Sequence, residues 1–292
     1  MELLLNRYRY STNDLIGRGG FSTVYKCYDL KNKSYVAIKI DEKIKYNKKE
    51  SNIYDRIYGL KYMAEKLDYF ELNKKSYLIM PLYQNSSDKI CKSNLVKYFN
   101  EKDILMLGIQ MLQQLNNLHK IGIIHQDIKP DNIIFDEIDN KFKVIDFGLS
   151  KQYIKNEKHI EFKKGVGRCG TMRYMSINSH NKYTLSRRDD LISLSYSLIY
   201  LFKKTLPWKN LNCSKNTKNK DKLHILIKKY KKEFDNTISN LDLPCPLQVL
   251  YTYSFSLKFN KIPDYNFLIK GFYNYLKLNG MNYDGNWSWT KS

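Results

Sequence analysis

The most restrictive feature of this chain is a pair of short blocks near its middle. The first is His125-Gln126-Asp127-Ile128-Lys129-Pro130-Asp131-Asn132. The second, Asp146-Phe147-Gly148, begins fourteen residues after Asn132. Two carboxylates, an ammonium and a carboxamide therefore stand at fixed offsets. An Asp can accept the proton of a hydroxyl, and a Lys is a point charge that neutralises an anion. Asn and Asp oxygens suit a hard cation such as magnesium. An isolated Asp-Phe-Gly says little, but both blocks, in this order and at this distance, leave chance a poor explanation.

The 292 residues suffice for one large domain or two lobes sharing a cleft. Residues 8–40 read as strands. Ser22-Thr23-Val24-Tyr25 follows a glycine cluster, and Tyr35-Val36-Ala37-Ile38-Lys39-Ile40 follows a polar turn at residues 29–33. The pattern predicts a helix over 47–66 with Ile53, Ile57 and Leu60 on one face. Tyr77-Leu78-Ile79-Met80 is a short apolar strand ended by Pro81, and beyond it the pattern turns mainly helical. Residues 105–115 show one amphipathic face, and residues 191–202, apolar nearly all round, predict a buried central helix. Part of the Lys/Asn-rich stretch 210–232 reads as a solvated loop, with Leu223, Ile225, Leu226 and Ile227 suggesting a helix at its end. The fold class expected is α+β, strand-rich first and helix-rich second, with the junction near residues 81–85 a natural place for a ligand cleft.

The formal net charge is +21, which points to acidic partners: nucleic acid, an anionic membrane, or acidic or phosphorylated protein. Lys, Asn, Ile and Tyr are all plentiful, so a base-composition bias is an alternative source of the charge. The five cysteines show neither C-x-x-C nor metal-ligand spacing, which suggests a reducing compartment, cytoplasmic or nuclear. The amino terminus has too short an apolar run for a signal peptide, no run is long enough to span a bilayer, and neither end matches a lipidation motif.

The two opening blocks resemble the catalytic loop and the metal-binding loop of protein kinases, a bilobal fold with a small strand-rich N-lobe and a larger helical C-lobe. The boundaries expected are 1–83 and 84–292, the two lobes together making a single kinase domain. Gly17-Arg18-Gly19-Gly20-Phe21-Ser22-Thr23-Val24 is similar to the loop that covers the phosphates of ATP, and Val36-Ala37-Ile38-Lys39 to the strand that follows it. The resemblance implies ATP and magnesium as cofactors. Gly17, Gly19, Gly20, Val24 and Ala37 would lie along the nucleotide. Lys39, partnered by Glu50, would contact its α- and β-phosphates. Met80 would line the back of the adenine site, with the Pro81 carbonyl and the Tyr83 N–H facing the ring. Asp127 would receive or direct the proton of the substrate hydroxyl, Lys129 would neutralise the γ-phosphate, and Asn132 and Asp146 would hold magnesium. His125 would be structural.

The resemblance narrows further along the chain. Gly170-Thr171-Met172-Arg173-Tyr174-Met175-Ser176-Ile177-Asn178, with Ser-Ile-Asn where most protein kinases carry Ala-Pro-Glu, is similar to the casein kinase I family. So are Ser186-Arg187-Arg188-Asp189-Asp190-Leu191, Leu206-Pro207-Trp208, Ile262-Pro263-Asp264-Tyr265, and Tyr283, Asp284 and Trp287 near the end. The likeness covers residues 8–289 and implies a protein serine/threonine kinase, acting as a monomer on acidic or pre-phosphorylated proteins. It implies no specific nucleic acid and no membrane. Arg187 and Lys222 would receive the substrate's phosphate. Vaccinia-related kinases and a pseudokinase scaffold are the alternatives, and retention of Lys39, Asp127, Asn132 and Asp146 argues against the scaffold. The chain departs from the usual pattern at Ser22, Pro81, residues 84–87 and Asn210, and at Gln126, where the usual Arg pairs with an activation-loop phosphate. That last change, with the short tail after Trp287, implies constitutive activity.

Overall fold

The computed structural model describes residues 1–19, 22–93, 99–211 and 217–289, with side chains of 217–219 left aside. The chain divides into two compact units. One holds residues 1–84 and 145–148; the other holds 85–144 and 149–292. The strand-rich part thus ends at Gln84, and the Asp-Phe-Gly block clusters with it.

The first unit is an antiparallel sheet in the order β1-β2-β3-β4-β6-β5. Its strands are β1 (Glu2–Leu4), β2 (Tyr8–Arg18), β3 (Ser22–Asp29), β4 (Ser34–Asp41), β5 (Asp68–Leu72) and β6 (Lys75–Pro81). Alternation along β4 sends Val36, Ile38 and Ile40 into a core with Tyr8, Tyr10, Cys27, Tyr77 and Ile79. It leaves Ala37 and Lys39 on the opposite face. Register places Lys39 opposite Val24 and Leu78, and Ala37 opposite Met80. Ile38 and Ile79 are fully buried, each worth about 1.5–3 kcal/mol of burial.

Helix α1 spans Ile44–Ile57, shorter than the pattern over 47–66 suggested. Gly59 takes φ +77°, a left-handed conformation that ends helices readily, and the N–H of Leu60 turns back to the carbonyl of Ile57. The helix still carries Glu50, 1% exposed.

The second unit is built on helices. Strand β7 (Asn85–Ser86) leads into α2 (Ser87–Lys92), then α3 (Glu101–Lys120) and β8 (Ile123–Ile124). A hairpin of β9 (Ile133–Asp136) and β10 (Lys141–Val144) follows, with β7 beside β9. Next come β11 (Lys151–Gln152), β12 (Ile154–Lys155), β13 (Lys158–His159) and α4 (Ile177–His180), then α5 (Arg187–Lys203), α6 (Thr217–Asp235), α7 (Cys245–Ser256) and α8 (Tyr265–Leu278). Capping boxes start α3 at Asn100/Asp103 and α5 at Ser186/Asp189. Helix α3 packs so tightly on α8 that a Cβ on Gly108 would overlap the Phe272 ring. Helix α5 is the buried central helix expected, enclosed from Asp189 to Leu201.

Helix α6 departs from expectation. The helix expected at the end of the Lys/Asn-rich stretch is longer than its apolar residues suggest, and its buried face is not the apolar run. Ile225 and Leu226 are exposed, whereas His224, Ile227, Lys231 and Phe234 point inward at helical spacing. Among the described residues, no helix is long and apolar enough to cross a membrane.

Candidate active site

In the strand-rich unit, Lys39 reaches from β4 to two carboxylates. Its Nζ donates to Glu50 Oε2 at 2.6 Å and to Asp146 Oδ1 at 2.8 Å. Burial alone would lower the Lys39 pKa, but the two carboxylates outweigh it and hold the ammonium above its ordinary value. Burial pushes the Glu50 carboxyl upward, opposed by Lys39 and by the N–H of Phe147. Asp146 adopts φ +66°, a left-handed conformation that Asp tolerates better than most residues. Its side chain stays 43% exposed. Gly148 crowds this group: a Cβ there would come within 3.3 Å of both Asp146 Oδ1 and Glu50 Oε2.

The glycine turn is closed by the N–H of Gly19 on the carbonyl of Ser22, 2.8 Å. Gly17 pairs with Val24, and Gly20 lies outside the described residues. Met80 accepts from the Tyr54 hydroxyl at 3.5 Å. Pro81 closes β6 opposite Val36, and Tyr83 is half-buried.

The helical unit holds the other chemical group. Asp127 is 7% exposed and its carboxylate is fully dressed. Oδ1 accepts from the N–H of Thr171 at 2.7 Å and from its hydroxyl at 2.8 Å. Lys129 Nζ lies 2.9 Å from Oδ2 and also donates to the Thr171 hydroxyl at 3.0 Å. Asn132 donates its amide hydrogens to the carbonyl of Asp127 at 3.0 Å and to Oδ2 at 3.4 Å. Its amide oxygen is left as an acceptor of the kind magnesium takes.

The loop bearing Asp127 is held from beneath. Gln126 takes φ +70°, and its N–H donates to Asp190 Oδ1 at 2.8 Å. Asp190 Oδ2 accepts from the N–H of His125 at 2.7 Å and from His119 Nε2 at 2.8 Å. With Nε2 donating, His119 Nδ1 accepts from the Tyr265 hydroxyl. His125 is fully buried and its Nδ1 accepts from the N–H of Asp127 at 3.2 Å. Gly170 must be glycine: it has φ +94°, and a Cβ would stand 2.6 Å from the Gln126 carbonyl.

Residues 10–254 match the protein kinase domain family. The chain belongs to that family. It is also similar to casein kinase I homolog 2 of Schizosaccharomyces pombe (strain 972 / ATCC 24843), at 29% identity over 291 residues. That match covers 96% of this chain and 65% of the relative, so the chain spans just under two thirds of the protein it matches.

Protein kinase domains use ATP and magnesium, and each unit carries donors of a fitting kind: Lys39 and the carboxylate of Asp146 in one, the amide oxygen of Asn132 in the other. Bound magnesium shields phosphate charge and orients the transferring group. The structure brings Lys39, Glu50 and Asp146 together, and separately Asp127, Lys129 and Asn132. Arg187 is 6% exposed. Its guanidinium donates to the Tyr153 hydroxyl at 3.1 Å and to the Asn260 carbonyl at 2.6 Å, and lies over the Tyr153 ring. Lys222 is exposed on α6 and shares no partner with Arg187 among the described residues. Thr171 is the functional residue the sequence reading passed over, although it stands beside the glycine of a motif that reading used.

Proposed function

We propose that this kinase domain transfers the γ-phosphoryl group of ATP to serine and threonine hydroxyls of proteins, with the casein kinase I preference for acidic or pre-phosphorylated substrates. The observation that carries it is the closed triangle of Asp127, Lys129 and Thr171. Asp127 orients the acceptor hydroxyl and takes its proton. The hydroxyl oxygen then forms a bond to the γ-phosphorus, and the bond to the β,γ-bridging oxygen breaks, its electron pair leaving with ADP. Lys129 is placed to neutralise the transferring group. Lys39, kept charged by Glu50 and Asp146, binds the phosphates that remain on the nucleotide.

The serine/threonine choice rests on Lys129 and on the likeness to a casein kinase I homolog, and the acidic preference on that likeness and the charge of +21. The test is radiolabel transfer from ATP to a peptide library carrying Ser, Thr or Tyr acceptors, each with neutral, acidic or phosphorylated neighbours. Label on acidic or primed Ser and Thr peptides is expected. Label on Tyr alone, or equal labelling of all neighbours, would remove the corresponding part of the proposal. Nucleotide binding with no transfer would make the domain a scaffold.

A further inference from the structure

Under the segment that follows Thr171 lies a lysine with no carboxylate. Lys231 is 0% exposed, and among the described residues no acid lies within ion-pairing distance of it. Burial without a carboxylate pushes its pKa down. What faces it instead is backbone. Its Nζ donates to the carbonyls of Met172 at 3.0 Å and Met175 at 2.6 Å, and meets His180 Nε2 at 3.2 Å. An ammonium has three N–H bonds, and here three acceptors surround it. The rings of Tyr196 and Trp208, at 5.0 and 5.4 Å, cover its remaining sides.

Trp208 holds the same segment: its Nε1 donates to the carbonyl of Arg173 at 2.8 Å. Three carbonyls of a four-residue stretch, those of Met172, Arg173 and Met175, are therefore taken by side chains from other parts of the unit. Immediately before the stretch stands Thr171, whose N–H and hydroxyl both close on Asp127. An acceptor hydroxyl that reaches Asp127 must lie beside this backbone. The segment is a turn whose own N–H groups, those of Tyr174 and Met175, close only on the carbonyl of Thr171, at 2.9 and 2.8 Å, so the carbonyls of Met172, Arg173 and Met175 are not fixed from within it. The fixing comes from Lys231 and Trp208. The bond from Lys231 also orders a pair of histidines: with His180 Nε2 accepting, His180 Nδ1 donates to His224 Nδ1 at 3.0 Å.

We propose that Lys231 is a positioning residue for the acceptor substrate: it sets the backbone of residues 172–175 and through Thr171 the reach of Asp127, with no contact to nucleotide. The inference rests on Asp127 acting as the group that orients the acceptor. The experiment measures kcat and KM for both peptide and ATP in the wild type, Lys231→Met and Trp208→Phe. Met keeps the stem of the side chain and removes all three donors. Phe removes only the bond to Arg173.

The expected result is a rise of about tenfold in the peptide KM for Lys231→Met and a smaller rise for Trp208→Phe. The ATP KM should stay within about twofold in both. Loss of folded protein gives a different signature, because fewer active molecules lower kcat and leave both KM values unchanged. Should Lys231→Met not fold, Lys231→Gln, which retains two N–H donors, gives an intermediate peptide KM in the same assay. Unchanged peptide KM in the soluble variants, or parallel change of the peptide and ATP constants, overturns the inference. A wild type that transfers no phosphate to any peptide overturns the kinase reading instead.

Discussion

Thr171 closes on Asp127 twice, its backbone N–H at 2.7 Å and its hydroxyl at 2.8 Å from the same oxygen, Oδ1. The backbone bond survives Thr171→Val, and the hydroxyl bond does not. Removing the hydroxyl also takes away the acceptor for Lys129. A hydrogen bond to a charged group is worth roughly 1.5–3 kcal/mol. Thr171→Val is therefore expected to lower kcat for peptide phosphorylation by about tenfold or more. Asp127→Ala, which removes the carboxylate itself, is expected to cost about a hundredfold or more. Steady-state kinetics on protein checked for folding by circular dichroism decides the ranking. A Thr171→Val enzyme with wild-type kcat would show that the hydroxyl has no part in orienting Asp127.

The Lys39–Glu50 pair is buried, so its two members cannot be lost one at a time without consequence. Removing one partner of a buried pair typically costs about 3–5 kcal/mol, because a charge stays behind in a site built for two. Lys39→Met is expected to lower the urea midpoint and raise the ATP KM together. Adding Glu50→Gln should restore most of the stability while leaving activity lost. The pair of measurements separates structural from chemical roles. Stability that fails to recover in the double variant would mean that Lys39 is held by Asp146 and not by Glu50.

How much of this was legible from residues alone depends on what each position demands. The contacts of Lys39 with Glu50 and Asp146, and of Asp127 with Lys129 and Asn132, join residues that the sequence reading had already singled out by their offsets. Strand β4 was readable because β-branched Val36, Ile38 and Ile40 alternate there, and β3 because Thr23, Val24 and Tyr25 are strand formers after a glycine cluster. Helix α1 was read too long, since Leu60 continues the apolar spacing while Gly59 leaves the helical conformation. Helix α6 was expected from its apolar residues, but its extent and its inward face were missed for a deeper reason. Hydrophobic periodicity treats Lys and His as solvated, and here Lys231 and His224 are buried by partners distant in sequence, 56 residues away for Met175. Polar groups that face inward for long-range reasons leave no periodic signal.

Those buried histidines make a pH prediction. Burial, then the charge of Lys231, holds the His180 pKa down to about 2. Burial and Arg168 hold His224 down to about 4, with Asp221 opposing. Lys228 also faces His180, and Lys220 faces His224. In the unfolded chain both titrate near 6.5. Below that pH the unfolded state takes up protons the folded state refuses, so stability is full above about 6.5 and falls as pH drops. His180 alone can remove up to about 1.4 kcal/mol per pH unit. Buried Asp103 and Asp189, whose pKa values are raised by burial, act in the opposite direction at lower pH. The cleanest window is therefore about pH 6.5 to 5. Urea denaturation across it should show a falling midpoint, and His224→Gln should make the fall shallower. Identical slopes in variant and wild type would show that the pair does not titrate in this way.

The last prediction concerns Arg187 and Lys222, the two cations expected to receive a substrate phosphate. Their surroundings differ sharply. Arg187 is buried, with two of its guanidinium nitrogens engaged by Tyr153 and Asn260, and Tyr153 in turn donates to the carbonyl of His119 at 2.6 Å. His119 is the residue that braces Asp190 beneath the catalytic loop. A guanidinium in that position supports the loop, and at 6% exposed it presents little surface to an incoming anion. Lys222 faces solvent and has no such duty. Arg187→Gln is therefore expected to lower kcat/KM for primed and unprimed peptides by similar factors, on the order of tenfold for one lost charge-assisted contact. Lys222→Ala is expected to act only on primed peptides, by about twofold to fivefold, the scale of an exposed ion pair. The two sets of peptides, assayed side by side, give the answer. A selective loss on primed peptides in Arg187→Gln would place Arg187 among the groups that read the substrate, its unengaged Nε–H being one donor open to the phosphate.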